Sequence, residues 1–252
     1  MTALNLFRSE TTKLFTSMST WIIAGVTILL TWPMALTNAG AAELPADDPR
    51  LFSSEPIPLE FQGFEMAGFG YVLVVALAAL WAGSEYGGGK QIRTTLTATP
   101  KRGRAFIAKA ILLAVTVGAI AFLTMAGTII ITHAVSNSGL NPWLLSPAIW
   151  ANIGGVSLAW TLTALIAFAV GTLARTAILP LILITPFVIG IGDFLAGIWD
   201  GARYLPVAAG AAMYSDPGSG SYLDPFTGGA VQGLWALVLL IAAGIVFSRR
   251  DV

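Results

Sequence analysis

Six apolar segments, separated by charged or Pro/Gly-rich stretches, run along the chain. They occupy residues 21–37, 66–83, 109–132, 150–173, 177–198 and 230–247. A bilayer core about 30 Å thick requires about 20 mostly apolar residues in a helix. Because lipid cannot satisfy free backbone amides, such segments cross it as helices. The pattern therefore predicts an all-α, polytopic membrane protein with six transmembrane helices in a single domain over residues 1–252.

A shorter helical pattern precedes the first span. Leu4, Phe7, Leu14 and Met18 recur at steps of three, seven and four residues, which places them on one face of a helix. We predict an amphipathic interfacial helix over residues 1–20, with this apolar face in the acyl boundary of the membrane. The pattern leaves open whether the helix only anchors the chain or also transmits motion.

The fifth apolar segment and the stretch after it depart from a regular span. Pro180, Pro186 and Gly190 predict a kinked or broken outer half for this span. Within residues 199–229, the apolar run 207–213 is too short to cross a membrane. Composition leaves two alternatives for this stretch, a re-entrant outer segment and an ordinary surface loop.

The composition favours a membrane protein and excludes several kinds of chemistry. Hydrophobic residues make up 56% of the 252 and charged residues 10%, against about 25% charged in soluble domains. The mean hydropathy is +0.80. A net charge of zero gives no basic surplus for nucleic acid. With no cysteine and a single histidine, disulfides, thiol catalysis and sites that need two histidines are excluded.

The basic residues are divided unevenly between the two sides of the spans. Arg50 and Arg203 fall on one side, whereas the other side holds the remaining eleven: Arg8, Lys13, Lys90, Arg93, Lys101, Arg102, Arg104, Lys109, Arg175, Arg249 and Arg250. Because Lys and Arg are retained in the cytoplasm, both termini are predicted to be cytoplasmic. Glu10 is one of three acids on that side. We expect Lys109, near a span end, to reach polar headgroups.

The most informative cytoplasmic loop covers residues 84–108. Its Gly-Gly-Gly-Lys sequence at 87–90 suggests a phosphate-binding loop, but that motif requires a glycine where Ser84 stands and Ser or Thr where Gln91 stands. The flanks are a membrane span and further loop rather than a strand and a helix. The pattern argues against nucleotide binding by this chain, so any ATP would be bound by another subunit.

Residues 91–99 fit a short helix within this loop. Ile92 and Leu96 lie at i and i+4 on one face with Arg93 beside them, and Pro100 ends the helix. A small apolar face with a basic rim suits docking into a groove on a cytoplasmic partner. On charge alone, the alternative is an anchor on anionic lipid.

The residues that carry a family resemblance are Glu85 and Tyr86, the run Ile92-Arg93-Thr94-Thr95-Leu96-Thr97-Ala98-Thr99-Pro100-Lys101-Arg102, and Ala108-Lys109. Together they resemble the first cytoplasmic loop of bacterial type-2 ABC transporter permeases, particularly actinobacterial ones. The resemblance is specific over residues 85–109. Six spans, inner termini and an amphipathic first helix extend it loosely over the whole chain. The glycine-rich stretch 87–90 departs from the family pattern.

The resemblance implies a permease subunit of an ATP-driven exporter in the bacterial plasma membrane. It implies that a separate ABC ATPase binds ATP and Mg, that a second permease subunit, identical or paralogous, completes the pathway, and that this chain has no catalytic residue, metal or cofactor of its own. It also implies re-entrant outer helices before the sixth span. Uncharged spans are compatible with a hydrophobic or amphipathic cargo such as a drug, lipid or peptide antibiotic. The residues implied in coupling to the ATPase are Glu85, Tyr86, Ile92, Arg93, Thr94, Leu96, Pro100, Lys101 and Arg102.

A self-sufficient secondary transporter or channel is the alternative class. Ion-coupled carriers usually need a titratable group or a broken-helix ion site near the midplane of the membrane. The central spans offer hydroxyl groups instead, at Thr116, Thr124, Thr128, Thr161, Thr163 and Thr185. We expect His133 to be solvated and Asp193 to lie at an outer end, so neither favours a proton relay.

Overall fold

The computed structural model describes residues 3–39, 58–86, 102–136, 139–214 and 223–249, and all regular structure within them is helical. Short 3₁₀ turns lie at Leu59–Phe61, Phe64–Met66, Ser84–Tyr86 and Asp200–Tyr204. The α-helices are α1 (Ala3–Thr16), α2 (Met18–Asn38), α3 (Ala67–Gly83), α4 (Arg102–Val135), α5 (Pro147–Ala174), α6 (Ile178–Pro186), α7 (Gly192–Ile198), α8 (Pro206–Ala211) and α9 (Pro225–Arg249). The predicted all-α class is confirmed for this part of the chain.

Five helical segments are long and apolar enough to cross a membrane. They are Met18–Thr37, Leu59–Gly83, Arg102–Val135, Pro147–Ala174 and Pro225–Arg249. Each coincides with a span predicted from the hydrophobic pattern, although most extend several residues further. The helices therefore have the lengths and composition of a multi-pass membrane protein.

The remaining predicted span, residues 177–198, is not one continuous helix. α6 ends at Pro186, a π-helical turn follows at Phe187–Ile191, and α7 then begins. Gly190 in that turn has a φ of +125°, a value that glycine adopts at no steric cost. The predicted break is confirmed, and because of it the apolar helical run Ile178–Ile191 is shorter than a span.

The stretch between α7 and α9 forms short helical pieces that pack on the bundle. The turn Asp200–Tyr204 leads into α8, which contacts both α5 and α9. Gly210 of α8 lies directly against the side chain of Gln232, so a larger residue would not fit there. Residues 215–222 lie outside the described residues. The described part of segment 199–229 is therefore mostly helical, and its piece α8 packs on the bundle.

α5 lies at the centre of the bundle, in contact with α3, α4 and α9. Its first turn is capped by Ser146, whose Oγ accepts a hydrogen bond from the Ile149 N–H at 3.4 Å. Trp160 in its middle is fully buried and stacks on Tyr71 of α3, with ring centroids 5.7 Å apart. Gly70 makes room for the indole, because a Cβ there would overlap the ring. The packing of α5 on α3 thus depends on Trp160 lying against Gly70.

α4 is the longest described helix. Its 34 residues extend about 51 Å at 1.5 Å per residue, whereas the hydrocarbon core of a bilayer is about 30 Å thick. The helix is therefore longer than the hydrocarbon core is thick. Its first two turns carry Arg102, Arg104 and Lys109.

The basic residues gather at one end of the bundle, which we call the basic end. The end of α3 meets the start of α6 there, with Gly83 against Ala177, and the start of α4 meets the end of α9, with the rings of Phe106 and Phe247 5.7 Å apart. Among the described basic residues, Arg203 lies elsewhere, and the basic end holds Arg8, Lys13, Arg102, Arg104, Lys109, Arg175 and Arg249. The uneven distribution expected from the sequence is present in the folded chain.

Candidate functional site

The basic end holds both flanks of the predicted coupling loop. α3 continues through the turn Ser84–Tyr86, and the chain is described again from Arg102 at the start of α4. Tyr86 and Arg102 are both partly buried. The side chain of Glu85 lies outside the described residues, and so do Ile92, Arg93, Thr94, Leu96, Pro100 and Lys101. The predicted docking helix therefore stays a prediction.

A buried ion pair lies beside the two flanks of this loop. Glu10 of α1 and Lys109 of α4 face each other with Oε2 and Nζ 2.6 Å apart, and their side chains are 0% and 2% exposed. Lys13, one turn further along α1, donates a hydrogen bond to Glu10 Oε1 at 2.8 Å, and its side chain is 30% exposed. One carboxylate is thus shared by two ammonium groups.

Trp81 of α3 completes this arrangement. The ammonium of Lys109 lies 4.5 Å from the centre of the indole ring, which is a cation–π distance. Trp81 is itself buried. We call Glu10, Lys13, Trp81 and Lys109 the Glu10 cluster. It joins α1, α3 and α4 at a single point.

The electrostatics of the Glu10 cluster follow from burial and pairing. Burial raises the pKa of Glu10 because it penalises the charged form. The charges of Lys109 and Lys13 and the hydrogen bond that Lys13 donates outweigh burial, so the pKa of Glu10 lies below its usual value. The carboxylate is therefore ionised at neutral pH. Since a buried charge is costly unless it is paired, each member of the cluster depends on the others staying in place.

α1 docks on the bundle through the face that carries Glu10. Its buried positions are Leu6, Glu10 and Leu14, each four residues from the next. Leu6 forms a small apolar cluster with Ala105 and Ala108 of α4, which lie four residues and one residue before Lys109. The ion pair and this apolar contact lie side by side and hold the same two helices together.

This docking corrects the predicted lipid-facing stripe of the interfacial helix. Phe7 is exposed as expected, at 38%, but Leu14 is fully buried in the core. Met18 belongs to α2, because α1 ends before it, and the side chain of Leu4 lies outside the described residues. The physical reason is that Glu10 pairs with Lys109 inside the protein. The face of α1 that carries Glu10 therefore packs against the bundle.

A cavity of about 590 Å³ opens beside the Glu10 cluster. Lys13 and Trp81 form part of its wall, and the bend between α1 and α2 and the end of α3 supply hydroxyl groups from Thr16, Ser17, Ser19, Thr20 and Ser84. The cluster thus borders an accessible space next to the start of the predicted coupling loop.

A second polar cluster lies among the helices that are long and apolar enough to cross a membrane. Tyr71 Oη and Thr163 Oγ1 are 2.7 Å apart. The Nε2 of Gln232, a fully buried residue, donates to Thr163 Oγ1 at 2.8 Å and to the carbonyl of Ala159 at 3.2 Å. Because polar groups among apolar helices are stabilised by pairing, these bonds hold α3, α5 and α9 together. Sequence reasoning noted Thr163 alone of these three side chains.

His133 is buried, so the expectation of a solvated histidine is wrong. Its side chain is 5% exposed, and its Nε2 lies 3.1 Å from the backbone carbonyl of Glu60. The chain before α3 folds back over the end of α4, where Gly63 packs against Thr132. The side chain of Asp193 lies outside the described residues.

Sequence reasoning missed the Glu10 cluster. Lys109 does not reach polar headgroups as expected, because its ammonium turns inward to Glu10. One feature of the sequence indicated a buried charge in α1: Glu10 stands midway between Leu6 and Leu14 on a single helical face. A charge on an apolar face that becomes buried requires an opposite charge to face it, but the sequence does not identify that partner.

Comparison with known proteins assigns no family to the chain. The sequence matches no protein-family model, and no curated protein matches it. Among the described residues, no group of three or more His, Asp or Glu side chains is placed to hold a metal ion. A functional proposal therefore rests on this chain's own residues and their geometry.

Proposed function

We propose that this chain is the transmembrane permease subunit of a bacterial type-2 ABC exporter. The observation that carries the proposal is the residue pattern of 85–109, which resembles the loop by which such permeases contact their ATPase. Five apolar helices of membrane-crossing length and a basic end that holds both flanks of this loop support it. The uneven distribution of Lys and Arg favours a plasma-membrane orientation with the basic end and both termini in the cytoplasm.

In this proposal the chain transmits a conformational change and does not itself catalyse a reaction. A separate ABC ATPase, present as two copies or domains, binds ATP and Mg and hydrolyses the nucleotide. It docks on residues 84–108, and its closure on ATP displaces this loop. The described flanks of the loop, Tyr86 and Arg102, lie at the ends of two helices that pack into the bundle, so a displacement there reaches the spans.

The sixth crossing is formed by α6 and α7 together, as a broken helix. The start of α6 at the basic end, where Ala177 meets Gly83, supports this path. Segment 199–229 then re-enters the membrane from the outer side. Irregular backbone is tolerated at membrane depth where protein covers it, and α8 is covered on the side that carries Val207 and Ala209.

A second permease subunit, identical or paralogous, completes the pathway, and the cargo is a hydrophobic or amphipathic molecule such as a drug, lipid or peptide antibiotic. α2 and α9 support this part of the proposal because they expose apolar side chains over most of their lengths. Such surfaces suit contact with lipid, with a second subunit or with an apolar cargo.

Nucleotide binding by the purified chain tests the proposal. Chain purified from membranes of its native host is expected to bring an ABC ATPase with it in equimolar amount. Once separated from that partner in detergent, the homogeneous chain is expected to bind no fluorescent ATP analogue and to hydrolyse no ATP. Nucleotide binding by the isolated chain would contradict the proposal.

Reconstituted liposomes distinguish the proposal from a secondary transporter or channel. The probes are a cationic dye, a fluorescent phospholipid and a peptide antibiotic. We expect at least one of them to be moved when ATP and the ATPase are both present, and none when the ATPase is omitted. Movement driven by an ion gradient without any ATPase would establish the alternative class instead.

A further inference from the structure

The ammonium of Lys109 ties together the two flanks of the predicted coupling loop. Trp81 lies six residues before residue 87, and Lys109 lies eight residues after residue 101. Their contact, 4.5 Å from Nζ to the ring centre, connects the end of α3 with the start of α4. A displacement of Trp81 or of Lys109 therefore acts on this contact.

Glu10 extends this connection to α1. Its carboxylate lies 2.6 Å from the Lys109 ammonium, and neither side chain is exposed enough for water to take the place of its partner. Leu6, one turn earlier on α1, packs with Ala105, one turn earlier on α4, and with Ala108, which directly precedes Lys109. Two adjacent contacts of different kinds thus fix the position of α1 on α4.

A short bend connects α1 to the first membrane-crossing helix. Ser17 alone separates the two helices, with an extended backbone at φ −71° and ψ 118°. The bend is held by hydrogen bonds, from the Ser17 N–H to the Lys13 carbonyl at 3.2 Å and from the Trp21 indole to the Phe15 carbonyl at 2.7 Å. A movement of α1 is therefore passed to α2 rather than absorbed in a flexible linker.

We infer that the Glu10–Lys109 ion pair makes α1 and the start of α4 one rigid unit, through which movement of the loop 84–108 reaches the first span. Both are positioning residues, because they act on the placement of helices. The source of the movement is the ATPase of the proposed function, on which this inference rests. The rigid unit itself is a property of the chain alone.

Spin labels test the rigid unit without any ATPase. The chain has no cysteine, so Thr12→Cys on α1 and Ile107→Cys on α4, both at exposed positions, accept labels without side reactions. Electron–electron distance measurements in liposomes are expected to give one narrow distribution. Glu10→Ala should at least double its width, because it leaves Lys109 buried without this carboxylate. Arg8→Gln, which removes an exposed charge from the same helix, should leave the width unchanged.

A double variant keeps this test independent of misfolding. Glu10→Leu/Lys109→Met replaces the ion pair with apolar side chains, a change that buried pairs often tolerate, and it should restore the narrow distribution. A width for Glu10→Ala equal to that of the unsubstituted chain would overturn the rigid unit.

Transmission is tested in the complex with the ATPase. Two label pairs, Thr12→Cys with Leu234→Cys and Ile107→Cys with Leu234→Cys, report α1 and α4 against α9. Addition of ATP and vanadate should shift both distances in the otherwise unsubstituted chain. With Glu10→Ala, the α4 shift should persist and the α1 shift should be lost.

The outcomes separate this inference from the proposed function. If both distances still shift with Glu10→Ala, the ion pair does not transmit the movement, and the proposed function stands. If neither distance shifts in the complex without the Glu10→Ala change, the proposed function and the transmission step both fail. The rigid unit, measured without ATPase, is then unaffected.

Discussion

Lys109 is a lysine held almost completely away from solvent, with its ammonium against Glu10 and over the Trp81 ring. Removing one partner of a buried ion pair typically costs about 3 to 5 kcal/mol, whereas an exposed pair contributes about 0 to 1 kcal/mol. We therefore expect Lys109→Met to lower the free energy of unfolding in mixed detergent micelles by several kcal/mol. Lys13→Met, which removes a partly exposed partner of the same carboxylate, should cost far less.

The double variant Glu10→Leu/Lys109→Met is the control for this comparison. It removes both buried charges, and the ammonium of Lys13, which loses the Glu10 carboxylate, is partly exposed, so the stability of the double variant should be close to that of the unsubstituted chain. Equal losses for Lys109→Met and Lys13→Met would show that the Glu10 cluster is exposed to water, contrary to the structure.

The lowered pKa of Glu10 predicts a pH dependence of a definite sign. A carboxylate whose folded-state pKa lies below its unfolded value of about 4.3 stabilises the fold above that pH, and this contribution is lost as the pH falls through the folded-state pKa. The difference in Tm between the unsubstituted chain and Glu10→Gln should thus be largest near neutral pH and shrink below about pH 4.3. A difference that stays constant from pH 7 to pH 3 would contradict the ionised pair.

The hydrogen-bonded cluster of Tyr71, Thr163 and Gln232 predicts a smaller loss of stability when one of its members is replaced. Thr163→Val would leave the hydroxyl of Tyr71 and the amide of Gln232 without their shared partner. Interhelical hydrogen bonds in membranes contribute about 0.6 kcal/mol on average and up to about 1.7, so we expect a loss of about 1 kcal/mol. The matched control is Thr161→Val, because within the part of the chain that the structure describes the Thr161 hydroxyl bonds to its own helix, at the carbonyl of Ser157. A loss as large for Thr161→Val would show that the interhelical bonds contribute nothing.

At the scale of helices, the orientation of the spans is testable because the chain has no cysteine. Cysteines introduced at Ser138 and Ser219 should react with an impermeant thiol reagent in intact cells. Cysteines at Ser9 and Thr97 should react only after the cells are permeabilised, since the proposed orientation puts the basic end in the cytoplasm. Labelling of Thr97→Cys from outside would contradict both the orientation and the contact with an ATPase.

The helices themselves were largely predictable because their signals are local. Hydropathy summed over about 20 residues locates five spans, and Pro186 and Gly190 locate the break in the remaining segment. The docked face of α1 was not predictable in the same way. It depends on Lys109, which lies 99 residues from Glu10 in sequence and next to it in space.

The distinction between local and long-range signals in the sequence also holds for the candidate functional site. The pattern of residues 85–109 is contiguous, so its resemblance to a permease loop can be seen without a structure. Trp81, Glu10 and Lys109 come from three helices, and only the folded arrangement brings them together. The loop residues expected to bind a partner therefore stay a prediction, since most of them lie outside the described residues, whereas the contacts among Trp81, Glu10 and Lys109 could not be predicted from the sequence.

At the scale of the whole molecule, the chain combines apolar helices with a concentration of charge at one end. The exposed basic side chains there, Arg8, Arg104 and Arg249 among them, suit either a protein partner or anionic lipid. A protein partner and a lipid anchor predict different roles for Leu96. Leu96 belongs to the docking face if a protein binds, whereas a lipid anchor depends on the summed charge of Lys101, Arg102 and Arg104 instead.

The amount of ABC ATPase that co-purifies with the chain, measured for Leu96→Asp against Leu96→Met, tests the central claim that residues 84–108 dock an ATPase. Leu96→Met keeps the apolar face and should retain the equimolar ratio. Leu96→Asp should lower the ratio at least tenfold at an unchanged level of the chain in the membrane. An unchanged ratio for Leu96→Asp, with membrane insertion disturbed only when Lys101, Arg102 and Arg104 are all replaced by Gln, would contradict the claim and identify the loop as a lipid anchor.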